Sequence, residues 1–348
     1  MSGPPVVMAV WCALAITAST AAAQPLKDVF RRVNASVVLI RTTAKATPPS
    51  TNGADAAPPE EGLGSGVLVT ADGKVVTAAH VVRNSSTIEV HFLDGAPIAA
   101  TVIAMAPFAD IALLQLERVP PAAAVATFGD SDLLDAGDQI FTVGAPYGAN
   151  HSLAVGWISA RRDQPKVYED ATALEIFQTD LDVFEGNSGG PLFNLDGLVV
   201  GIVTHVLSKE GATGGPSFSV TGNVVKRLML DERRTWFGVE SFMLEGPMAA
   251  AFNLPQPAGL LVQAVATGSL AARLGLRGGS LPATVVDVPL LLGGDVVLDV
   301  LGMPVTASES FTSGFLTALD KVKAGDTVMV RVWRGGKVVP LTTTAIDP

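Results

Sequence analysis

The chain has 348 residues, 48% of them apolar and 16% charged, which is long enough for two domains with real cores and too apolar for global disorder. A formal charge of −10 with no basic run argues against nucleic acid or an anionic membrane surface as partner, and a single cysteine excludes a disulfide framework or a cysteine-based metal site. Aromatic residues make up only 6%, small and β-branched residues abound, and 35 glycines and 23 prolines break the chain into short runs, which favours β structure with many turns.

Residues 1–23 read as a secretory signal peptide. An apolar core from Val6 to Ile16 is followed by small residues, and Ala21 and Ala23 fit cleavage after Ala23. The uncharged stretch is nearly long enough to span a bilayer, so an uncleaved membrane anchor is the alternative. No Lys or Arg precedes the apolar core, and Cys12 lies inside it, leaving the mature chain without cysteine. Residues 27–33 pattern as a short amphipathic helix leading into a strand at 36–41. Residues 44–62, rich in Pro, Ala and Gly, read as a long mobile loop. Short apolar or alternating runs follow at 66–70, 75–77, 88–92, 111–116, 140–143 and 198–204, and Asp72-Gly73, Asp94-Gly95 and Asp196-Gly197 each separate two runs in the manner of a hairpin. Strands at this spacing predict a barrel or sandwich. A helix is expected at 222–231. Residues 236–348 form a second unit with strands at 259–265, 296–301 and 327–333.

The segment from Glu185 to Leu192 carries Gly186, Asn187, Ser188, Gly189 and Gly190. A serine hydroxyl is a weak nucleophile, so a catalytic serine needs a tight turn, a base within reach and backbone N–H groups aimed at the developing oxyanion. Glycines on both sides permit such a turn. Of the four histidines, His80 follows Thr77, Ala78 and Ala79 at a strand end, where small neighbours leave its ring room. His91 alternates in a polar-faced strand and reads as exposed, and His151 sits in a loop and reads as solvated. Asp110 heads the apolar run 111–116. The order His, Asp, Ser excludes the α/β-hydrolase elbow, which runs Ser, acid, His and needs a helix after the serine, whereas Pro191 opens a strand.

These residues resemble the HtrA/Deg family, trypsin-like serine proteases with a C-terminal PDZ domain. The likeness rests on Gly64-Ser65-Gly66-Val67, the run from Thr77 to His80, the run from Asp110 to Leu114, Phe128 to Ser131, Val143 to Gly148, and Phe177 to Asp180 leading to Gly186 through Pro191. It covers about residues 25–348 and is most specific in the protease half. The resemblance implies a mostly β fold: a chymotrypsin-like double β-barrel of six strands each over 24–234, followed by a PDZ-like small β-barrel with helices over 235–348. It makes Ser188 the nucleophile, His80 the general base and then acid, and Asp110 the group that fixes the imidazole tautomer. The oxyanion hole falls to the backbone of Gly186, Asn187 and Ser188, in a loop whose peptide flip gives the family a resting state. Val183, Phe184, Thr204 and His205 fall where the family builds its primary specificity pocket. Val183 there suggests cleavage after small or medium aliphatic residues, and His205 stands where a small residue is usual.

In the second unit, Trp236, Phe237, Gly238 and Val239 match the loop with which PDZ domains capture a terminal carboxylate. Runs beginning at Ala258, Gly268, Gly293 and Ala324 continue the match. Residues 277–292 are longer than the usual turn and are expected to extend the sheet, cover the groove or make an intersubunit contact. The expectation is a secreted or periplasmic serine endopeptidase of protein quality control, cutting unfolded polypeptides without metal or cofactor. Hydrophobic C-terminal peptides are its expected regulators, and a homotrimer with Phe30 among the contacts its expected assembly. Two alternatives stand beside it: a chaperone-like or peptide-binding protein with a resting or vestigial protease, and a regulatory protease with few substrates.

Overall fold

The computed structural model describes residues 25–44, 61–83, 85–93, 95–149, 151–164, 174–206, 215–231, 236–285 and 288–345. The expected signal peptide with Cys12, all but the ends of the loop at 44–62, and Asp94 lie outside them.

Helix α1 (Leu26–Asn34) buries Val29 and Val33 and leads into the first of two closed six-stranded barrels. That barrel holds β1 (Val37–Ala44), β2 (Glu61–Leu68), β3 (Lys74–Ala78), β4 (Ser85–His91), β5 (Ile98–Ala106) and β6 (Ile111–Leu116), in the order β1-β2-β3-β6-β5-β4. A four-residue helix, α2 (Ala79–Val82), follows β3 directly. The second barrel holds β7 (Gln139–Gly144), β8 (Ser152–Gln164), β9 (Leu174–Thr179), β10 (Pro191–Asn194), β11 (Val199–Val206) and β12 (Ser217–Thr221), in the order β10-β11-β12-β9-β8-β7. The expected helix at 222–231 begins as α3 (Gly222–Lys226) and continues with a wider, π-type turn over Arg227–Asp231.

Strand β6 shows how the two barrels join. Its run lacks the alternation of a half-exposed strand because both faces are covered. Ala112, Leu114 and Leu116 pack with Val38, Ile40, Val75 and Val90 of the first barrel. Ile111 and Leu113 face the other way, into a cluster shared with Phe141, Phe193 and Ile202 of the second barrel. This shared core fixes the cleft between the barrels; burial of such a side chain is worth about 1.5–3 kcal/mol.

The C-terminal unit is a six-stranded sheet. Its strands are β13 (Val239–Glu245), β14 (Ala258–Val265), β17 (Val296–Val300), β18 (Met303–Pro304), β19 (Thr327–Arg334) and β20 (Lys337–Thr344), with β15 (Leu281–Val285) and β16 (Val288–Leu292) forming a separate two-stranded hairpin. The main path runs β13-β14-β17-β19-β20, so β13 is a free edge. Helices α4 (Gly246–Ala251), α5 (Leu270–Leu274) and α6 (Glu309–Asp320) complete it. The hairpin neither extends this sheet nor covers the groove beside β13. Leu290 packs with Leu244, Leu261 and Val296, a cluster separate from the one that holds α5 and α6. Leu290, with Val285, Val288 and Leu292 beside it, thus covers a second face of the sheet.

Candidate active site

His80, the expected base, and Asp110, its expected partner, come from one barrel. Strand β3 ends at Ala78 and the chain turns at once into α2, whose Ala79, Val81 and Val82 are buried while His80 faces outward. Asp110 precedes β6, the neighbour of β3, and sits in the left-handed region at φ 54°. Non-glycine residues there are uncommon, Asp being among the more tolerant, and the conformation costs on the order of 1–3 kcal/mol. Three of its hydrogen bonds tie it to the start of α2. The Asp110 carbonyl accepts the Ala79 N–H at 2.9 Å, Oδ1 accepts the His80 N–H at 2.9 Å, and Oδ2 accepts from His80 Nδ1 at 2.7 Å. An ionised carboxylate only accepts, so the Nδ1 of neutral His80 carries the proton and Nε2 is left with a lone pair. That is the tautomer a general base needs.

Ser188, the expected nucleophile, comes from the other barrel, on the turn between β9 and β10. Gly186 has φ 96° and Gly189 φ 84°. A Cβ at Gly186 would stand 2.1 Å from the Ala145 carbonyl oxygen, and one at Gly189 2.3 Å from that of Ser65, so both positions need glycine twice over. Ser188 is half-buried, and its hydroxyl donates to the Thr204 carbonyl at 3.2 Å. Its own carbonyl accepts the Ser65 N–H at 2.8 Å.

The N–H groups of Gly186 and Ser188 donate to no protein acceptor among the described residues. The Glu185 carbonyl accepts the Tyr147 N–H at 2.8 Å. In a trans peptide the Gly186 N–H points to the opposite side from that carbonyl. Asn187, expected as a third contributor, does not supply an N–H: it donates to the Phe184 carbonyl at 3.0 Å, and its side chain is buried against Gly144.

Sequence reasoning missed Ser65. It is fully buried on β2 of the first barrel and reaches across the cleft. Its hydroxyl donates to the Gly186 carbonyl at 2.6 Å and accepts the Ala145 N–H at 3.1 Å, while its carbonyl accepts the Thr77 hydroxyl at 2.7 Å. The glycines flanking it at 64 and 66 were the available signal: a Cβ at Gly64 would stand 3.2 Å from the Ser188 carbonyl oxygen.

The four expected pocket residues face different neighbours. Val183 packs half-buried against a cluster that includes Ile158, Phe177 and Leu181. Phe184 turns outward, its ring 5.7 Å from that of Tyr147. Thr204 is buried and donates to the Phe218 carbonyl at 3.2 Å. His205 is exposed, stacks on Phe218 at 5.1 Å, and lies close enough to Asp110 and His80 to feel both. Burial against its neighbours, the largest effect, together with His80 holds its pKa below the ordinary imidazole value, against an opposing pull from Asp110. The other two histidines differ from expectation. His91 is half-buried, and desolvation pushes its pKa down. His151 Nδ1 bonds Asn34 Oδ1 at 2.7 Å, which ties it to the end of α1. Phe30, the expected assembly contact, packs partly buried on the core shared by the barrels.

Of the expected peptide loop, Phe237 and Val239 line a cavity of about 370 Å³ between β13 and α6, with Phe311, Phe315 and Leu319 opposite. Gly238 has φ 74°. Trp236 lines the same cavity and also packs against the first barrel's core. Met105, Phe108 and Met229 of the protease half form the far wall.

Two closed six-stranded barrels with a carboxylate-bound histidine on one and a glycine-framed serine on the other define a trypsin-like serine protease. Residues 64–202 match the model of the trypsin-like peptidase domain. The chain is 31% identical over 292 residues to a probable periplasmic serine endoprotease DegP-like of Pseudomonas putida (strain W619), covering 82% of this chain and 56% of that protein. It is 32% identical over 295 residues to the protein of the same name from Halomonas elongata, covering 82% and 56%. The chain thus spans about half the length of these curated relatives. Among solved structures, the HtrA-type protease AlgW with decapeptide superposes with a TM-score of 0.50 at 26% identity, covering 92% of this chain and 98% of that one. AlgW with tripeptide superposes with a TM-score of 0.50 at 27% identity, covering 92% and 96%. The chain belongs to the HtrA/Deg family of trypsin-like serine proteases.

Proposed function

We propose that this chain is a periplasmic or secreted endopeptidase that cuts unfolded or misfolded polypeptides through Ser188, His80 and Asp110. The observation that carries the reading is the Asp110 clamp on His80, 2.7 Å at Nδ1 and 2.9 Å at the backbone, across the cleft from a serine framed by Gly186 and Gly189. Ser188 Oγ attacks the peptide carbonyl, His80 Nε2 takes its proton and returns it to the leaving amine, and the Gly186 and Ser188 N–H groups receive the oxyanion. Relatives named periplasmic, and the secretory pattern of residues 1–23, support the location. No helix of the described residues is long and apolar enough to cross a membrane.

The test is digestion of casein by residues 24–348. Cleavage is expected, and Ser188→Ala should reduce it by on the order of 10⁶-fold with the fold retained. Undiminished cleavage by that variant would contradict the assignment. We also propose that a hydrophobic C-terminal peptide adds along the free edge of β13, opposite α6, and regulates cleavage. Support comes from the apolar lining of that cavity and from the peptides bound in the AlgW structures. Cleavage rates unchanged at any peptide concentration would refute this.

A homotrimer is proposed on the family likeness and on the apolar stripe of Leu153, Val155 and Trp157, exposed along one face of β8. A monomer by light scattering would refute it. One observation favours a second reading, a resting protease acting as a binding protein: Ser188 Oγ donates to the Thr204 carbonyl. An organophosphonate that fails to label the serine would support that reading.

A further inference from the structure

The serine-protease reading places His205 in the expected specificity pocket without saying what it recognises, and its surroundings supply an answer. Strand β11 slips register against β12 between Val203, which faces Ser219, and His205, which faces Phe218, so Thr204 is the extra residue of a bulge. Bulges re-aim groups beside active sites. Here the Thr204 carbonyl faces the nucleophile, 3.2 Å from Ser188 Oγ. A substrate laid as a strand on this edge offers an N–H to that carbonyl while the carbonyl of the same residue lies at Ser188. Side chains of an extended chain alternate, so the preceding residue projects to the other face of the substrate strand. His205 is the next residue along the edge, exposed and near enough to His80 to feel its charge.

The hydrogen bonds also settle what its ring can offer. Thr204 Oγ1 has one proton and donates it to the Phe218 carbonyl at 3.2 Å, so at 3.1 Å it accepts from His205 Nδ1. With Nδ1 protonated, the Nε2 of the neutral ring carries a lone pair, and it has no partner among the described residues. Burial and the nearby His80 keep the ring neutral at pH 7.5. We infer that His205 reads the substrate side chain immediately before the residue at which the chain is cut, favouring hydrogen-bond donors such as Ser, Thr, Asn and Gln. The inference rests on the proposed protease reading.

The test takes a site the protein cuts in casein and builds two peptides that differ only in Thr or Val, an isosteric pair, at the preceding position. At pH 7.5 the unaltered protein should show kcat/KM about 3–10-fold higher for the Thr peptide, the worth of one ordinary hydrogen bond. His205→Phe keeps a ring on Phe218 without the acceptor and should bring the ratio to about one; should it not fold, His205→Ala is read the same way. His205→Gln keeps an acceptor and should retain a preference for Thr. Equal rates on the two peptides by the unaltered protein, or a ratio untouched in His205→Phe, overturn the inference and leave the protease reading standing. No casein cleavage by the unaltered protein overturns that reading, and the inference with it.

Discussion

The two barrels hold their shares of the site in different ways. The first fixes His80 from within: β3, α2 and the residue heading β6 are neighbours, and all three bonds of the clamp run between Asp110 and the start of α2. The second cannot fix Ser188 alone. The Ser188 turn leans on Ser65 from the first barrel and on Tyr147 from the loop after β7. The proposed base is therefore held by one barrel, and the turn of the proposed nucleophile by both.

Breaking the self-contained half should cost most in rate and least in structure. Asp110→Asn presents an amide that can donate toward Nδ1 and stabilise the wrong tautomer; we expect kcat to fall about 10⁴-fold with little change in Tm. Steady-state kinetics beside a thermal melt checks this, and a fall of less than tenfold would mean that another group orients His80. The shared half is broken most directly by Gly186→Ala, which places a methyl against the Ala145 carbonyl and strains a positive φ. Its kcat should drop by about 10²–10³, the cost of a lost oxyanion donor. The His80 Nδ1–H hydrogen bond to Asp110, followed by NMR of the imidazole proton, should be retained.

Ser65→Ala sharpens the comparison, because it alters the second barrel's turn from the first. It strands the Gly186 carbonyl and the Ala145 N–H inside the protein, at about 1–3 kcal/mol in stability by denaturant titration. Activity should fall with stability. Full activity together with lost stability would make Ser65 a packing residue only.

The smallest effect is electrostatic. His91 titrates below the ordinary imidazole value of about 6.5, first because burial disfavours its charged form. The unfolded chain then binds more protons than the folded one as pH falls through 6.5, so stability is held above that pH and declines below it. His205, shifted the same way, adds to the decline. Denaturant midpoints at pH 7.5 and 5.5 should differ less in His91→Gln than in the unaltered protein.

The catalytic half was legible in sequence because its chemistry is carried by residue types that have few other reasons to coincide. Ser188 between glycines, His80 after two alanines and Asp110 before an apolar strand each said little singly. Their order excluded the esterase elbow, and the structure brings His80 to Asp110 as expected. What stayed hidden depends on backbone direction. The left-handed Asp110, the carbonyl of Glu185 turned to Tyr147 and the reach of Ser65 across the cleft leave no mark in residue identity. Asn187 looked like a donor for the same reason, since its N–H is lost to Phe184 only through the shape of the turn. In the C-terminal unit, the apolar run at 277–292 could be seen to need burial but not which face of the sheet would supply it. Trp236 lines the cavity with the rest of that loop, but its packing on the first barrel's core leaves no mark in the sequence.

The most direct test of a base held by one barrel serving a nucleophile held by both is covalent labelling of Ser188 by a fluorophosphonate, located by peptide mass spectrometry. The account predicts one label per chain, on Ser188, lost in His80→Ala and strongly slowed in Ser65→Ala. Labelling that persists without His80, or that fails in the unaltered folded protein, would contradict it.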